Sequence, residues 1–458
     1  MPVIESLFFR SLTREREIGA NSYLLQFGHT KVILDAGMHP KKEGIEATPR
    51  LGDIGYDQAD VIIISHAHHD HIGSLPLMMR EQPRADVLMT EPTLKLADAI
   101  LHNSVNVMTS QREELGIMEY PLFTHKELEE NNSRWYSRPL RKPFELGESK
   151  VICEFFDAGH ILGSAGILLK YQGKRVFYTG DMHVEDQTIS RAADFDLEPV
   201  DVLIMETTRG ARARDPEYTR EKEIVRLGQV IRSTWENSGS VLMPVFALGK
   251  TQEMLVILHE LKKSGAIPDL PVYLGGLSTK ITLIYDSLAD RVRRHYPGFR
   301  LLENIDLKVS PKKSNRELEY RQMCVFALSS GMMSEKTASN KLAQQFLGNP
   351  RNTLAFVGYT DSESPGGKIR FGKKGDLIKL EANKPAVPLE CKIEEFDFSS
   401  HATRDELRAF ANRLRPKQII LVHGDVEAQE WFKAALQADM PDCQVISPEP
   451  GIDIPLAP

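Results

Sequence analysis

The stretch Val61-Ile-Ile-Ile-Ser65 runs without a break into His66-Ala-His68-His69-Asp70-His71. Four consecutive β-branched apolar residues read as a buried strand. The next six positions hold five groups able to bind a metal. His66 and His68, two apart in an extended segment, point to the same side. Asp70 and His71 fall at the turn into a helix read over Ile72–Arg80. Imidazoles and a carboxylate without a thiolate suit zinc or a similar divalent ion, in an open catalytic site rather than a closed structural one. The bland alternative, a solvated histidine-rich loop, does not fit a segment set between an apolar strand and the Gly73/Pro76 punctuation that follows.

Working outward, the same pattern recurs. The strand Lys31-Val-Ile-Leu-Asp-Ala-Gly37 carries Asp35; Val151–Phe156 precedes Asp157-Ala-Gly-His160; a hairpin from Ile167 to Tyr178, turning at Gln172-Gly173, leads to Asp181. Asp201–Glu206 ends on Glu206, and Gln418–Val422 runs into His423. Singly, each is more often a turn aspartate or a structural histidine. Together they gather at strand ends, where α/β folds assemble ligands. Asp35 reads as an acceptor that orients a ligand imidazole. A further helix is read over Thr93–His102.

After Arg209 the texture becomes a regular alternation: helix Pro216–Asn237, strand Ser240–Phe246, helix Lys250–Lys263, strand Pro271–Leu274, helix Ser278–Arg294, strand Met323–Ser329, helix Glu335–Phe346 and strand Asn352–Val357. That order predicts a parallel, helix-flanked sheet. The expected organisation is a first domain over 1–208, an inserted domain over 209–376, and a return to the first over 377–458, including a helix over Thr403–Arg413.

Composition bounds the function class. Hydrophobic content of 41% with 26% charged residues is that of a soluble globular protein. No apolar run is long enough to span a bilayer, and Met1–Arg10 lacks the pattern of a secretory signal. Cys153, Cys324, Cys391 and Cys443 are scattered, which predicts reduced thiols in a cytoplasmic protein. The net charge of -7 argues against a nucleic-acid partner, but residues 209–376 carry 27 Lys and Arg against 18 Asp and Glu. A basic block in an acidic chain predicts a polyanion held by one part and chemistry done by another; a solvated basic face is the simpler alternative. Arg134-Trp-Tyr-Ser-Arg138 with Arg141-Lys142 is a second basic-aromatic candidate, for which a snorkelling surface loop is the simpler reading.

His66-x-His68-x-Asp70-His71, followed by His160, Asp181 and His423, resembles the dinuclear zinc site of the metallo-β-lactamase fold. The resemblance implies one Zn(2+) on His66, His68 and His160, another on Asp70, His71 and His423, and Asp181 with a water or hydroxide between them. Glu206 in Met205-Glu-Thr-Thr208, His401 in Asp397-Phe-Ser-Ser-His-Ala-Thr403, and His423 match in type and order the three extra motifs of the β-CASP subfamily of RNA-processing nucleases. The implied fold is an αββα sandwich with an inserted α/β domain of mainly parallel sheet. The implied activity is hydrolysis of RNA, in the single-stranded form, by a metal-bound hydroxide. The products would be 5′-phosphate and 3′-hydroxyl ends, made endonucleolytically, with exonucleolytic attack as a second mode.

His401 is assigned as general acid, with Glu206 orienting it and favouring its charged form; a histidine of the loop that caps the next helix is the alternative. Asp70 counts as both ligand and catalytic group. Lys250, opening the turn after Pro244-Val-Phe-Ala-Leu-Gly249, and Ser330-Gly331 are read as phosphate contacts, with Arg209 beside them; tight structural turns are the alternative. The sequence departs from the subfamily at Lys250, where Arg is usual, at Arg209, where Tyr is usual, and at Thr360-Asp-Ser-Glu363, whose acids oppose a phosphate track. No membrane is expected, and a homodimer is compatible with the resemblance. Two rival readings remain: a metallohydrolase of a small ester, lactone or thioester, and a non-catalytic RNA-binding scaffold.

Overall fold

A computed structural model describes residues 7–210, 212–309 and 320–457. Residues 1–6 of the N-terminal stretch read above, and Lys312, Lys313 and Arg316 of the basic block, lie outside the described residues. The chain divides into two compact units. Unit 1 comprises residues 1–186, 192–214 and 401–458, and unit 2 comprises 187–191 and 215–400.

Unit 1 is built on two seven-stranded sheets. The first runs Asp453–Pro455, Leu7–Ser11, Tyr23–Phe27, Thr30–Leu34, Val61–Ile63, Asp86–Met89, Trp135–Ser137. The second runs Gln444–Ile446, Gln418–Val422, Val202–Glu206, Lys174–Tyr178, Ala165–Tyr171, Val151–Asp157, Phe144–Leu146. Their inner faces share one core, with Phe9, Leu25, Val32 and Ile63 from one sheet against Phe155, Ile167, Val176 and Ile204 from the other. Both sheets are covered outside by helices. Trp135 Nε1 donates to Met79 Sδ of helix Leu75–Glu81 at 3.2 Å, and Phe410 and Phe432 of helices Arg404–Leu414 and Val426–Asp439 close over Phe177 and Leu203. The order helix, sheet, sheet, helix is the expected sandwich.

Local chemistry sets the helix ends. The expected helix over Thr93–His102 extends over Glu91–Leu115, because Thr90 caps it through Thr93 N, Pro92 fits its first turn, and Gly116 at φ 69° ends it in the left-handed conformation. The expected helix from Ile72 is two pieces, His69–Ile72 and Leu75–Glu81, with Pro76 at the start of the second.

In unit 2 a six-stranded sheet runs Leu307–Val309, Val272–Gly275, Val325–Leu328, Val241–Pro244, Thr353–Phe356, Lys392–Glu395, with every pairing parallel. Phe326, Leu242, Leu354 and Phe346 centre its core. The return to unit 1 comes at His401 rather than near 377. The reason is pairing: Lys392–Glu395 is the edge strand beside Thr353–Phe356, while Leu377–Ile378 and Val387–Pro388 form only a small ribbon. Helix Ser278–Arg294 is also shorter than read, ending at Ser287. Asp286 accepts from Leu301 N at 2.6 Å and Leu302 N at 2.8 Å, caps the following helix and turns the chain.

Candidate metal centre

Parallel pairing brings the candidate ligands to one edge of unit 1. Val32–Leu34 lies in register with Val61–Ile63, and Tyr178, Ile204 and Ile420 are level across three parallel strands. Residues following each strand therefore emerge side by side: Asp35 and His66 from the first sheet, Asp181, Glu206 and His423 from the second. Ala165 N donates to Ser65 O at 2.9 Å and ties the two sheets at this edge.

Three imidazoles converge. His68 Nδ1 lies 3.2 Å from His66 Nε2 and 3.0 Å from His160 Nε2. Asp181 Oδ2 lies 3.5 Å from His66 Nε2 and 3.7 Å from His160 Nε2. Donors held at about 2.0–2.1 Å around a tetrahedral cation stand roughly 3.3 Å apart, so these edges fit one zinc-sized ion. A second set shares the same carboxylate oxygen: His71 Nε2 is 3.5 Å from Asp181 Oδ2 and 3.9 Å from Asp70 Oδ2, and His423 Nε2 is 3.2 Å from Asp70 Oδ2. Asp181 Oδ1 is buried without a hydrogen bond, although His423 Nδ1 stands 3.1 Å away. A buried carboxylate oxygen left so is costly unless a cation faces it. The residues present fit bound divalent metal.

Side chains behind the ligands fix which ring nitrogen faces inward. Asp35, fully buried, accepts from Ser65 N at 2.7 Å, Ser65 Oγ at 2.8 Å, Tyr178 Oη at 2.7 Å and His71 Nδ1 at 2.8 Å. A proton on His71 Nδ1 leaves Nε2 as the nitrogen that could meet a metal. Thr208 Oγ1 donates to Glu206 Oε2 at 2.6 Å and so accepts from His423 Nδ1 at 2.8 Å, which turns His423 Nε2 toward Asp70. Asp35 and His423 both hold positive φ, 59° and 49°, an uncommon conformation outside glycine.

Glu206 is buried at its strand end. Its Oε1 accepts from Met182 N at 2.6 Å, and its Oε2 accepts from Thr208 and, at 3.1 Å, from His401 Nδ1. The same His401 nitrogen is 3.9 Å from Asp181 Oδ2.

Comparison with known proteins accords with this geometry. Residues 16–221 match the metallo-beta-lactamase superfamily, residues 251–369 the Beta-Casp domain, and residues 386–446 the Zn-dependent metallo-hydrolase RNA specificity domain. The chain belongs to the β-CASP subfamily of the metallo-β-lactamase superfamily. Among its relatives is "Endoribonuclease ysh1" of Schizosaccharomyces pombe, 30% identical over 94% of this chain and 56% of that one. "Cleavage and polyadenylation specificity factor subunit 3" of Dictyostelium discoideum is 28% identical over 96% of this chain and 56% of that one. The chain thus spans just over half the length of these curated relatives. A crystal structure titled as a protein of unknown function from Enterococcus faecalis V583 shares the fold, with a TM-score of 0.57 at 13% identity, covering 98% of this chain and 100% of that one.

Charge in this β-CASP site is arranged for a cation. Burial holds His66 well below the ordinary imidazole range and lowers His68 to about 4, so both are neutral donors. Burial alone would raise Asp181 and Asp70, but His423 and His71 outweigh it and both stay ionised. Burial likewise opposes the His71 and His401 cations. The surrounding carboxylates, Asp181 and Asp35 for His71 and Glu206 for His401, outweigh it and raise both.

The remaining expected residues fall elsewhere. His69, the fifth candidate ligand of the first motif, turns away to Ser104 Oγ at 3.0 Å. In unit 2, Ser330 Oγ accepts from Ser334 N at 3.1 Å, Gly331 lies against the Phe246 ring, and Lys250 Nζ donates to Phe398 O. Arg209 lies in unit 1, three residues beyond Glu206. The Arg134 segment is structural: Arg134 Nη1 donates to the carbonyls of Gln82, Pro83 and Ala85, and Arg141 stacks on Phe156. Sequence reading missed Ser65, Tyr178 and Thr208. Only Thr208 carried a signal, its place two residues beyond Glu206.

Proposed function

We propose that this chain is a zinc-dependent endonuclease that hydrolyses phosphodiester bonds in single-stranded RNA, leaving 5′-phosphate and 3′-hydroxyl ends. The observation that carries the reading is the Glu206–His401 pair beside Asp181, an acid–base device placed next to a metal centre that alone would serve any hydrolase. Two zinc ions, when bound, supply a nucleophile from water at neutral pH and neutralise charge developing on the phosphate. His66, His68 and His160 would hold one ion, Asp70, His71 and His423 the other, with Asp181 shared.

The protein's own contribution is proton delivery. Glu206 engages His401 Nδ1, so the transferable proton is on Nε2, and its recipient is the departing 3′ oxygen. Glu206 itself is fixed by Met182 N and Thr208, which keeps the imidazole in one orientation. We infer a cytoplasmic setting, supported by four buried, unpaired cysteines; among the described residues no helix is long and apolar enough to cross a membrane.

The test is incubation of end-labelled RNA with the purified chain, with and without chelator, mapping both product ends. Metal-dependent internal cleavage is expected. His401→Ala should lose about 10²-fold or more in rate while binding the same metal; full residual activity would remove His401 as the acid.

A further inference from the structure

Unit 1 holds a second meeting of histidines, outside the candidate centre. His102 of the long helix Glu91–Leu115 and His125, the first residue of helix His125–Asn131, face each other through their Nδ1 atoms at 2.7 Å. Their ring planes lie within 15° of parallel, with centroids 5.0 Å apart. His102 is partly exposed and His125 is exposed. Each far nitrogen stands against an oxygen. His125 Nε2 is 3.2 Å from Asn106 Oδ1. Asn106 Nδ2 donates to His102 O at 3.0 Å, which fixes the amide so that its oxygen, an acceptor, meets His125. His102 Nε2 is 3.5 Å from Asp98 Oδ1, which also accepts from Asn132 Nδ2 at 3.3 Å. Two neutral imidazoles carry one N–H each, while three contacts need a hydrogen: His125 to Asn106, His102 to Asp98, and ring to ring. With both Nε2 atoms protonated toward their oxygens, two Nδ1 lone pairs oppose each other. A cation between them removes that repulsion.

We propose that His102 and His125 form a further site for a divalent transition metal, with solvent filling the remaining positions. The plan is that of the centre, where Asp35 and Thr208 engage the outer nitrogens of His71 and His423 and leave the inner ones for a metal. Imidazole donors suit zinc, nickel or copper(II) rather than magnesium or calcium. Donors around a tetrahedral ion stand roughly 3.3 Å apart, so the two rings would part by about half an ångström and turn to converge on the ion. Side chains that reach solvent can make that adjustment. The ion would clip helix His125–Asn131 to the long helix across residues 116–124, a structural role separate from hydrolysis.

The test uses the full chain and zinc alone, and does not require that the chain cleave RNA. Equilibrium dialysis at buffered free zinc, read by elemental analysis, should find one more ion per chain in the wild type than in His102→Ala or in His125→Ala. Asn106→Leu removes the acceptor behind His125 and should weaken binding of that ion about tenfold or more. Histidine NMR of the wild-type chain, read at the ring nitrogens, adds a measurement that needs no variant to fold. Zinc should shift the Nδ1 signals of His102 and His125 together while both Nε2 atoms keep their protons. Equal zinc content in the wild type and both alanine variants would overturn the site and leave a pair bridged by a proton. Zinc-induced shifts confined to the histidines of the centre would overturn it as well.

Discussion

Asp35→Asn separates orientation from ligation, because Asp35 touches no metal position yet accepts four hydrogen bonds. The backbone is not a confounding factor: φ at this position is 59°, and asparagine tolerates the left-handed region as well as aspartate does. The side chain is where the change acts. An amide offers one oxygen where the carboxylate offered two. If the oxygen faces Ser65 N, the amide nitrogen faces His71 Nδ1, two donors oppose each other, and the imidazole moves its proton to Nε2, the atom that must coordinate. If the amide flips, Ser65 N–H meets a donor inside a fully buried site. Either the ligating tautomer is lost or a buried donor is left unsatisfied, the latter at a cost of about 1–3 kcal/mol. The serine and tyrosine hydroxyls can rotate and add little. At about 1.4 kcal/mol per tenfold, metal affinity should fall roughly 10- to 100-fold, the range seen when the partner behind a ligand histidine is removed. Competition against a chromogenic chelator, read site by site, measures it. The weaker class should be the one that includes His71, with the His66–His68–His160 class nearly unaffected. Unchanged affinity in both classes, in a protein with wild-type circular dichroism, would refute the tautomer argument.

Glu206→Gln should cut RNA cleavage by about ten- to a hundredfold while metal stoichiometry, read by elemental analysis, stays at the wild-type value; lost metal would mean that Glu206 is a ligand. Gly37→Ala should fail to assemble the centre, since a Cβ there would stand 1.7 Å from Asp70 O; metal content of the soluble fraction checks it. In unit 2, buried Glu253 accepts from Thr188 N at 2.7 Å and Ile189 N at 3.0 Å and pairs with Arg220. Burial would raise this carboxyl, but Arg220 outweighs it and the folded value is lowered. Glu253→Gln should therefore destabilise by about 3–5 kcal/mol near neutral pH. A lowered folded value gives stability that is present above the unfolded carboxyl range and lost as pH falls through the folded one. The gap between variant and wild type in urea unfolding should narrow once pH drops below about 4.5, and a gap that widens on acidification would contradict the assignment.

The candidate centre was legible because several of its residues, ligands and acid–base partner alike, follow apolar strands, so the pattern that predicts the strand also predicts where the next side chain emerges. His66, His160, Asp181, Glu206 and His423 share that grammar. What sequence could not give is side-chain direction decided by a distant element. His69 lies between two ligands in sequence but meets Ser104 of the long helix. Tyr178 is an ordinary strand residue until the second sheet delivers its hydroxyl to Asp35. The five strands beginning at Leu7, Tyr23, Asp86, Trp135 and Asp453 that complete the first sheet were also unread.

The same limit governs the basic block, and there it changes the functional argument. An excess of cations over residues 209–376 counts charges without regard to what they already hold. Arg226 pairs with Glu223 at 2.9 Å and lies over Phe396, Arg300 pairs with Asp290 at 2.7 Å, and Arg370 pairs with Glu395. Arg232 and Arg294 are turned onto backbone carbonyls at Ala266 and Phe299. Of the two acids that oppose a phosphate track, Asp361 is engaged: its Oδ1 accepts from Glu363 N at 2.9 Å and shapes its own turn. These five arginines of the block are thus scaffold for unit 2. An RNA strand held by this unit would meet fewer cations than the sequence count suggests. The salt dependence of binding should accordingly report only a handful of phosphate contacts.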